Sequence, residues 1–270
     1  MYSFPSGIGI QDIKGYGTSG MAALIPNTQT IIKFPVTAEA EERERCDREK
    51  SIYQLFQSSS YARPSSLLKY KGHTEEGILL EFAELGPVRL YLQGLSYPLP
   101  ELLLLRWATE AAEALHFAHL NGVFHGDVNC TNFFITKDLG LKLGDFTSSF
   151  VHTSLPRLEL QEDIRNFGSA IYEMATGSLP FPTLSSTERE NMLLAKRYPD
   201  MRRATILQQI ILRCWEGKYS NMEQIIFEIN KIEKSLKVVC VRPCCPRPPY
   251  NEVIVIKYFF TEDWLHKTFD

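Results

Sequence analysis

No stretch of the 270 residues reaches the roughly 18 consecutive apolar side chains that a membrane-spanning helix requires. Residues 1–10 also lack a basic segment followed by a long apolar run, so no export signal is expected. There is no excess of charge of either sign: 29 Lys and Arg face 32 Asp and Glu, and the net charge is −3. Without a basic field there is nothing to draw in nucleic acid, and none is expected as a partner. Six cysteines are scattered at positions 46, 130, 214, 240, 244 and 245 without paired C-x-x-C spacing. That excludes the usual zinc framework, gives no disulfide framework, and leaves reduced thiols as the expectation. No internal repeat is found. What remains is a soluble, intracellular chain, 44% hydrophobic, able to bury one substantial core or two lobes that share a cleft.

The chemistry is concentrated in His-Gly-Asp-Val-Asn-Cys-Thr-Asn at 125–132, between a long helical pattern and a tight pair of strands. On a short loop, Asp127 can be aimed at a nucleophilic hydroxyl while the amide oxygen of Asn132, five residues later, reaches a metal. Thirteen residues after Asn132, Asp145-Phe146 ends the second strand and offers that metal a carboxylate.

Upstream, alternation predicts strands over 8–14, 21–25 and 30–34, with a Pro-Asn-Thr-Gln turn at 26–29. Gly15, Gly17 and Gly20 form G-x-G-x-x-G between the first two, where small residues let backbone N–H groups approach a phosphate. A glycine-rich turn that binds nothing has the same letters, and the strand that follows argues against a dinucleotide fold. Lys33 ends an apolar strand, which is unfavourable unless its ammonium finds a partner or lies on a sheet edge. Residues 37–57 are charge-rich and helical. Most of their acids are read as a solvated face, but Glu49 shares the side of Ile52, Tyr53 and Phe56. Residues 77–83 read as a buried strand running into an extended connection, 86–95 as a short helix and 100–121 as a long one capped by Gly122. A hairpin is expected over 132–143, and helices from 163 onward. From residue 238 the character changes: prolines and cysteines at 242–249 cannot sustain a helix, and 252–260 has strand-like composition.

This order of motifs resembles the eukaryotic protein kinase superfamily. The resemblance covers about residues 8–234. It includes the helix that carries Asp163 and runs through Tyr-Glu-Met-Ala-Thr-Gly at 172–177, and Cys214-Trp215 further on. The loop from Gly126 to Thr131 is similar to divergent fungal kinase-like proteins. The resemblance implies an α+β, two-lobed fold: a small antiparallel-sheet lobe with one helix at 8–83 and a larger helical lobe at 84–236. The domain would span 1–237, with an extension over 238–270. It implies ATP and Mg²⁺ as cofactors and a protein Ser/Thr hydroxyl as acceptor, with Asp127 orienting and deprotonating that hydroxyl. Lys33, paired with Glu49, would hold phosphates, with Gly15, Gly17 and Gly20 above them. Leu80 would guard a back pocket, the backbone of Glu81 to Ala83 would face adenine, and Asn132 and Asp145 would hold the metal. A nucleotide-binding scaffold without turnover, or a small-molecule phosphotransferase with the same His-Gly-Asp, are the other readings.

Four departures bear on activity. Gly126 stands where the family usually has arginine, Asn129 where its serine/threonine members have lysine, and Thr147 where Asp-Phe is followed by glycine. Only 17 residues separate Asp145 from Asp163, and no Ala-Pro-Glu is present. The expectation that follows is an activity independent of phosphorylation at Thr147, Ser148, Ser149, Thr153 or Ser154. Gly126 has no cation to grip an added phosphate, and Arg157 and Arg165 are the substitutes nearby.

Overall fold

A computed structural model describes residues 4–17, 20–37, 39–96, 98–152, 157–204 and 206–240, with side chains to 236. It divides into two units, Met1–Lys234 and Ser235–Asp270. The segments 242–249 and 252–260 lie outside the described residues.

The small lobe is a five-stranded antiparallel sheet in the order β1-β2-β3-β5-β4, where β1 is Ile13–Gly17, β2 Gly20–Leu24 and β3 Thr30–Phe34. α1 follows at Ala40–Gln57, then β4 at Tyr70–His73 and β5 at Ile78–Glu81. β3 is central, and period-two alternation sends its residues to opposite faces. Ile32 and Phe34 pack with Ala23, Phe4, Ile13 and Leu79 on one side, which leaves Ile31 and Lys33 for the other, where α1 lies. The chain enters the sheet later than the alternation over 8–14 suggests. Ile10–Asp12 is a 3-10 turn, because Asp12 Oδ2 accepts the Gly9 N–H at 2.9 Å and the Asp12 N–H donates to Gly9 O at 3.0 Å. This local closure uses groups that a ladder would need, and it makes Gly15 and Gly17 strand residues.

The large lobe is mainly helical. Gly86–Pro87 forms a short β6 against β8, so the helix expected over 86–95 shrinks to α2, Val88–Gln93. α3 is Glu101–Leu120, β7 Val123–Phe124, β8 Phe133–Ile135, β9 Leu141–Leu143 and β10 Phe150–Val151. α4 (Arg157–Thr176), α5 (Ser186–Leu194), α6 (Gln208–Trp215) and α7 (Met222–Cys240) complete it. α3 presents Leu104, Trp107, Ala108, Ala111, Leu115 and Ala118 at helical spacing, and all six are buried. α4 contributes Ile164, Phe167 and Ile171 to the same interior. The fold is thus α+β with two lobes. No helix of the described residues is long and apolar enough to cross a membrane.

Candidate active site

Lys33, 7% exposed, reaches across from β3 with its Nζ 2.8 Å from Glu49 Oε2 on α1 and 2.8 Å from Asp145 Oδ1. Burial alone would lower the pKa of such an ammonium. The two carboxylates overcome it and raise the pKa above the ordinary lysine value, so the cation persists. Burial pushes the carboxyl of Glu49 up, opposed by Lys33. The other oxygen of Glu49 accepts the Phe146 N–H at 3.1 Å. α1 is thereby tied both to β3 and to the segment after β9.

That segment is further fixed by aromatic packing. Phe146 lies between His125 (5.0 Å between centroids) and Tyr53 (5.4 Å), and Tyr53 stacks on Tyr70 of β4 at 5.6 Å. The column runs from the catalytic-type loop through α1 into the small sheet, so Tyr70, on a strand that periodicity did not reveal, belongs to the support of the site.

Residues 125–132 are held from below by α4. Asp163, 1% exposed, accepts from the backbone N–H of His125 (2.8 Å) and Gly126 (3.0 Å) and from His119 Nε2 (2.9 Å). Its burial would raise the pKa, but the His119 hydrogen bond and the neighbouring donors win and hold it below the usual carboxylate range. The Asp127 N–H donates to His125 Nδ1 (3.3 Å), so the proton sits on Nε2, which donates to Gly144 O (3.0 Å). The Gly144 N–H in turn donates to Asn132 O at 3.0 Å, which stitches the loop to the residue before Asp145. Gly126 has φ +72°, and a Cβ there would lie 2.8 Å from Ser148 O. A side chain at 126 is therefore strained twice over.

Within the loop, Asn132 Nδ2 donates to Asp127 Oδ2 (2.9 Å) and to Asp127 O (2.8 Å). Asn129 Nδ2 donates to the other carboxylate oxygen at 2.8 Å, while its own Oδ1 accepts from Thr131 N–H at 2.8 Å. Asn129 therefore holds the carboxylate of Asp127, a contact that local sequence did not reveal.

The structure thus brings together Lys33, Glu49 and Asp145 in one cluster and Asp127 and Asn132 in a second, joined through Gly144. The strand register places Gly15 opposite Ala22 and Ala22 opposite Lys33. Directly paired residues share a sheet face, so Gly15 lies on the face from which Lys33 projects. Gly17 pairs with Gly20, and Thr18 and Ser19 between them lie outside the described residues. A Cβ on Gly20 would meet Phe34 O at 2.5 Å, so glycine there answers to strand packing whatever else it does. Glu81 turns its carboxylate to Lys142 Nζ (3.2 Å) and the Lys69 N–H (3.0 Å). The Ala83 carbonyl accepts from the Gly86 N–H at 3.1 Å, and among the described residues the Ala83 N–H has no intramolecular acceptor.

Other contacts come from long-range packing. Arg89 of α2 forms a two-pronged pair with Glu173 of α4 (2.7 and 2.9 Å) behind the loop. Arg213 pairs with Glu228 and lies over the Tyr219 ring, whose hydroxyl donates to the same glutamate at 2.5 Å. These contacts fix Tyr219 between α6 and α7.

Residues 26–155 match the family model described as protein tyrosine and serine/threonine kinase. The chain is 31% identical over 160 residues to a probable serine/threonine-protein kinase of Clostridium acetobutylicum, over 48% of this chain and 24% of that protein. It is 31% identical over 148 residues to the serine/threonine-protein kinase Nek3 of Oryza sativa subsp. japonica, covering 52% and 25% of the two chains. To the serine/threonine/tyrosine-protein kinase HT1 of Arabidopsis thaliana it is 22% identical over 187 residues, covering 59% and 48%. The chain thus spans between about a quarter and about half of the length of these relatives.

Proposed function

The chain belongs to the protein kinase superfamily, and from that premise we propose that it transfers the γ-phosphate of ATP, with Mg²⁺, to a serine or threonine hydroxyl of a protein. The observation that carries the reading is the Lys33 ammonium set between the Glu49 and Asp145 carboxylates at 2.8 Å each. An exposed structural lysine has no need of two acids. A buried cation held in place by α1, and itself tied to the segment bearing Asp145, is built to receive an anion. In this reading Lys33 binds phosphate oxygens, and Gly15 and Gly17 allow the strand backbone above to come close.

The donor set fits a hard divalent cation. Asp145 offers carboxylate oxygen and Asn132 an amide oxygen, whose nitrogen is already committed to Asp127. Among the described residues no cluster of three His, Cys, Asp or Glu forms a closed metal cage. Asp145 and Asn132 would be the protein ligands of such a cation, which sites of this kind hold together with substrate phosphates. When bound, Mg²⁺ neutralises charge on the phosphates.

Asp127 orients the acceptor hydroxyl and takes its proton as the oxygen bonds to phosphorus and the bond to the leaving ADP oxygen breaks. Asn129 and Asn132, one on each carboxylate oxygen, keep Asp127 from turning away. Because such transition states depend on positioning and charge more than on covalent chemistry, these groups suffice for turnover without the lysine that Asn129 replaces.

The test is binding first, then transfer. Thermal shift with ATP, with and without Mg²⁺, is expected to show magnesium-dependent stabilisation, and labelled ATP is expected to label the protein or a generic protein substrate. Asp127→Asn should leave binding nearly intact and lower turnover by roughly 10²–10⁴. Binding by wild type with no transfer would leave a nucleotide-binding scaffold, which the departures at 126 and 129 also suit. Equal labelling by wild type and Asp127→Asn would overturn the assignment of the base.

A further inference from the structure

Thr147 follows Asp145-Phe146, and its side chain is buried at 4% exposure. Its hydroxyl donates to Asp145 Oδ1 at 2.6 Å, and the same oxygen accepts from Lys33 Nζ at 2.8 Å. A threonine hydroxyl beside an aspartate often makes a local bond of no consequence. Here the bond is short, charge-assisted and partly buried, and it shares its acceptor with a buried ammonium.

The backbone of this segment is fastened at each residue. Asp145 adopts φ +58°, a left-handed conformation that persists in a non-glycine residue when its surroundings over-determine it. Phe146 N–H is held by Glu49, and Thr147 O accepts from Arg48 Nη1 at 2.8 Å. Arg48 and Glu49 are consecutive on α1, so one turn of that helix grips two successive residues while Thr147 and Lys33 grip the carboxylate between them. Glycine at 147 would supply no hydroxyl and would free the backbone.

We propose that Thr147 is a positioning residue: its hydroxyl holds the Asp145 carboxylate against Lys33 and keeps residues 145–149 in this conformation before nucleotide arrives. The second consequence, tighter magnesium-dependent nucleotide binding, rests on the function proposed above; the first does not.

Hydrogen exchange of the full chain without nucleotide addresses the first. In Thr147→Val and Thr147→Ala the amides of 145–149 are expected to lose protection by about tenfold or more, the usual worth of a hydrogen bond to a charged group, while Thr147→Ser stays within about threefold of wild type. If the valine variant does not fold, the alanine and serine variants carry the comparison. Calorimetry addresses the second: the Kd for ATP in Mg²⁺ is expected to rise about tenfold in the valine and alanine variants, and less than about threefold without divalent cation. Unchanged protection in the alanine and valine variants, or a serine variant that behaves like alanine, overturns the proposal. Wild type that binds no ATP sinks the functional reading instead, and the exchange result still decides what Thr147 holds.

Discussion

Asp163 shows how one residue can hold a whole loop. Its carboxylate collects two backbone donors and a histidine from three separate positions, and its pKa is depressed by those bonds in spite of burial. An acid whose folded pKa lies below its unfolded value of about 3.9 contributes stability that is complete above that value and is lost as pH falls through the folded one. Asp163→Asn should therefore destabilise the protein most at neutral pH, with the gap to wild type shrinking below about pH 4. Urea titrations of both proteins between pH 3 and 7 measure this, and a gap that stays constant over the range would contradict it. Gly126 is the neighbouring constraint. With φ +72° and Ser148 O so near, this backbone has little room for a larger residue, whatever regulatory cation one might wish to restore.

At the scale of elements, α1 is the part that joins the lobes. Its charged face is solvated, as at Arg45–Glu41 and Lys50–Asp47, and contributes little, since exposed pairs are worth about 0–1 kcal/mol. Its buried face carries Glu49, Ile52, Tyr53 and Phe56. Tyr53 contacts Phe56, Tyr70 and Phe146, so removing its ring opens a cavity where helix, sheet and Asp145 segment meet. Tyr53→Ala should cost about 3–5 kcal/mol, the range for deleting a buried aromatic, and should also weaken nucleotide binding. Denaturant unfolding with a parallel affinity measurement distinguishes it from Leu102→Ala on an exposed face of α3, which should cost less than about 0.5 kcal/mol.

Across the whole molecule, the packing around the 145–152 segment bears on regulation. Thr147 and Ser149 are buried and bonded, Ser149 Oγ donating to His125 O at 2.9 Å. Thr153 and Ser154 lie outside the described residues, and Ser148 is exposed. Arg48 is engaged with Thr147 O, and Arg165 lies 3.8 Å from Glu190. Phosphatase treatment of the whole chain, and Ser148→Ala, should thus change kcat/KM by less than about threefold, because the segment is held by contacts that need no phosphate. A loss of more than about tenfold in both would show that an added charge completes the site. The primary sequence by itself determined β2, β3, α1, α3 and the local loop chemistry. Period two marked β3 with its misplaced lysine, period 3.6 put Glu49 on the apolar side of α1, and turn residues bounded the strands, since these depend on neighbours in the chain. It also placed Asp127 and Asn132 on one short loop. Tertiary structure alone decided what long-range register brings together: β4 and Tyr70 in the aromatic column, Arg48 on Thr147 O, the Thr147 hydroxyl and Lys33 on one carboxylate oxygen, and Arg89 on Glu173. Those contacts join residues up to 112 positions apart. No local pattern encodes them, because each exists only once sheet, helix and loop have packed.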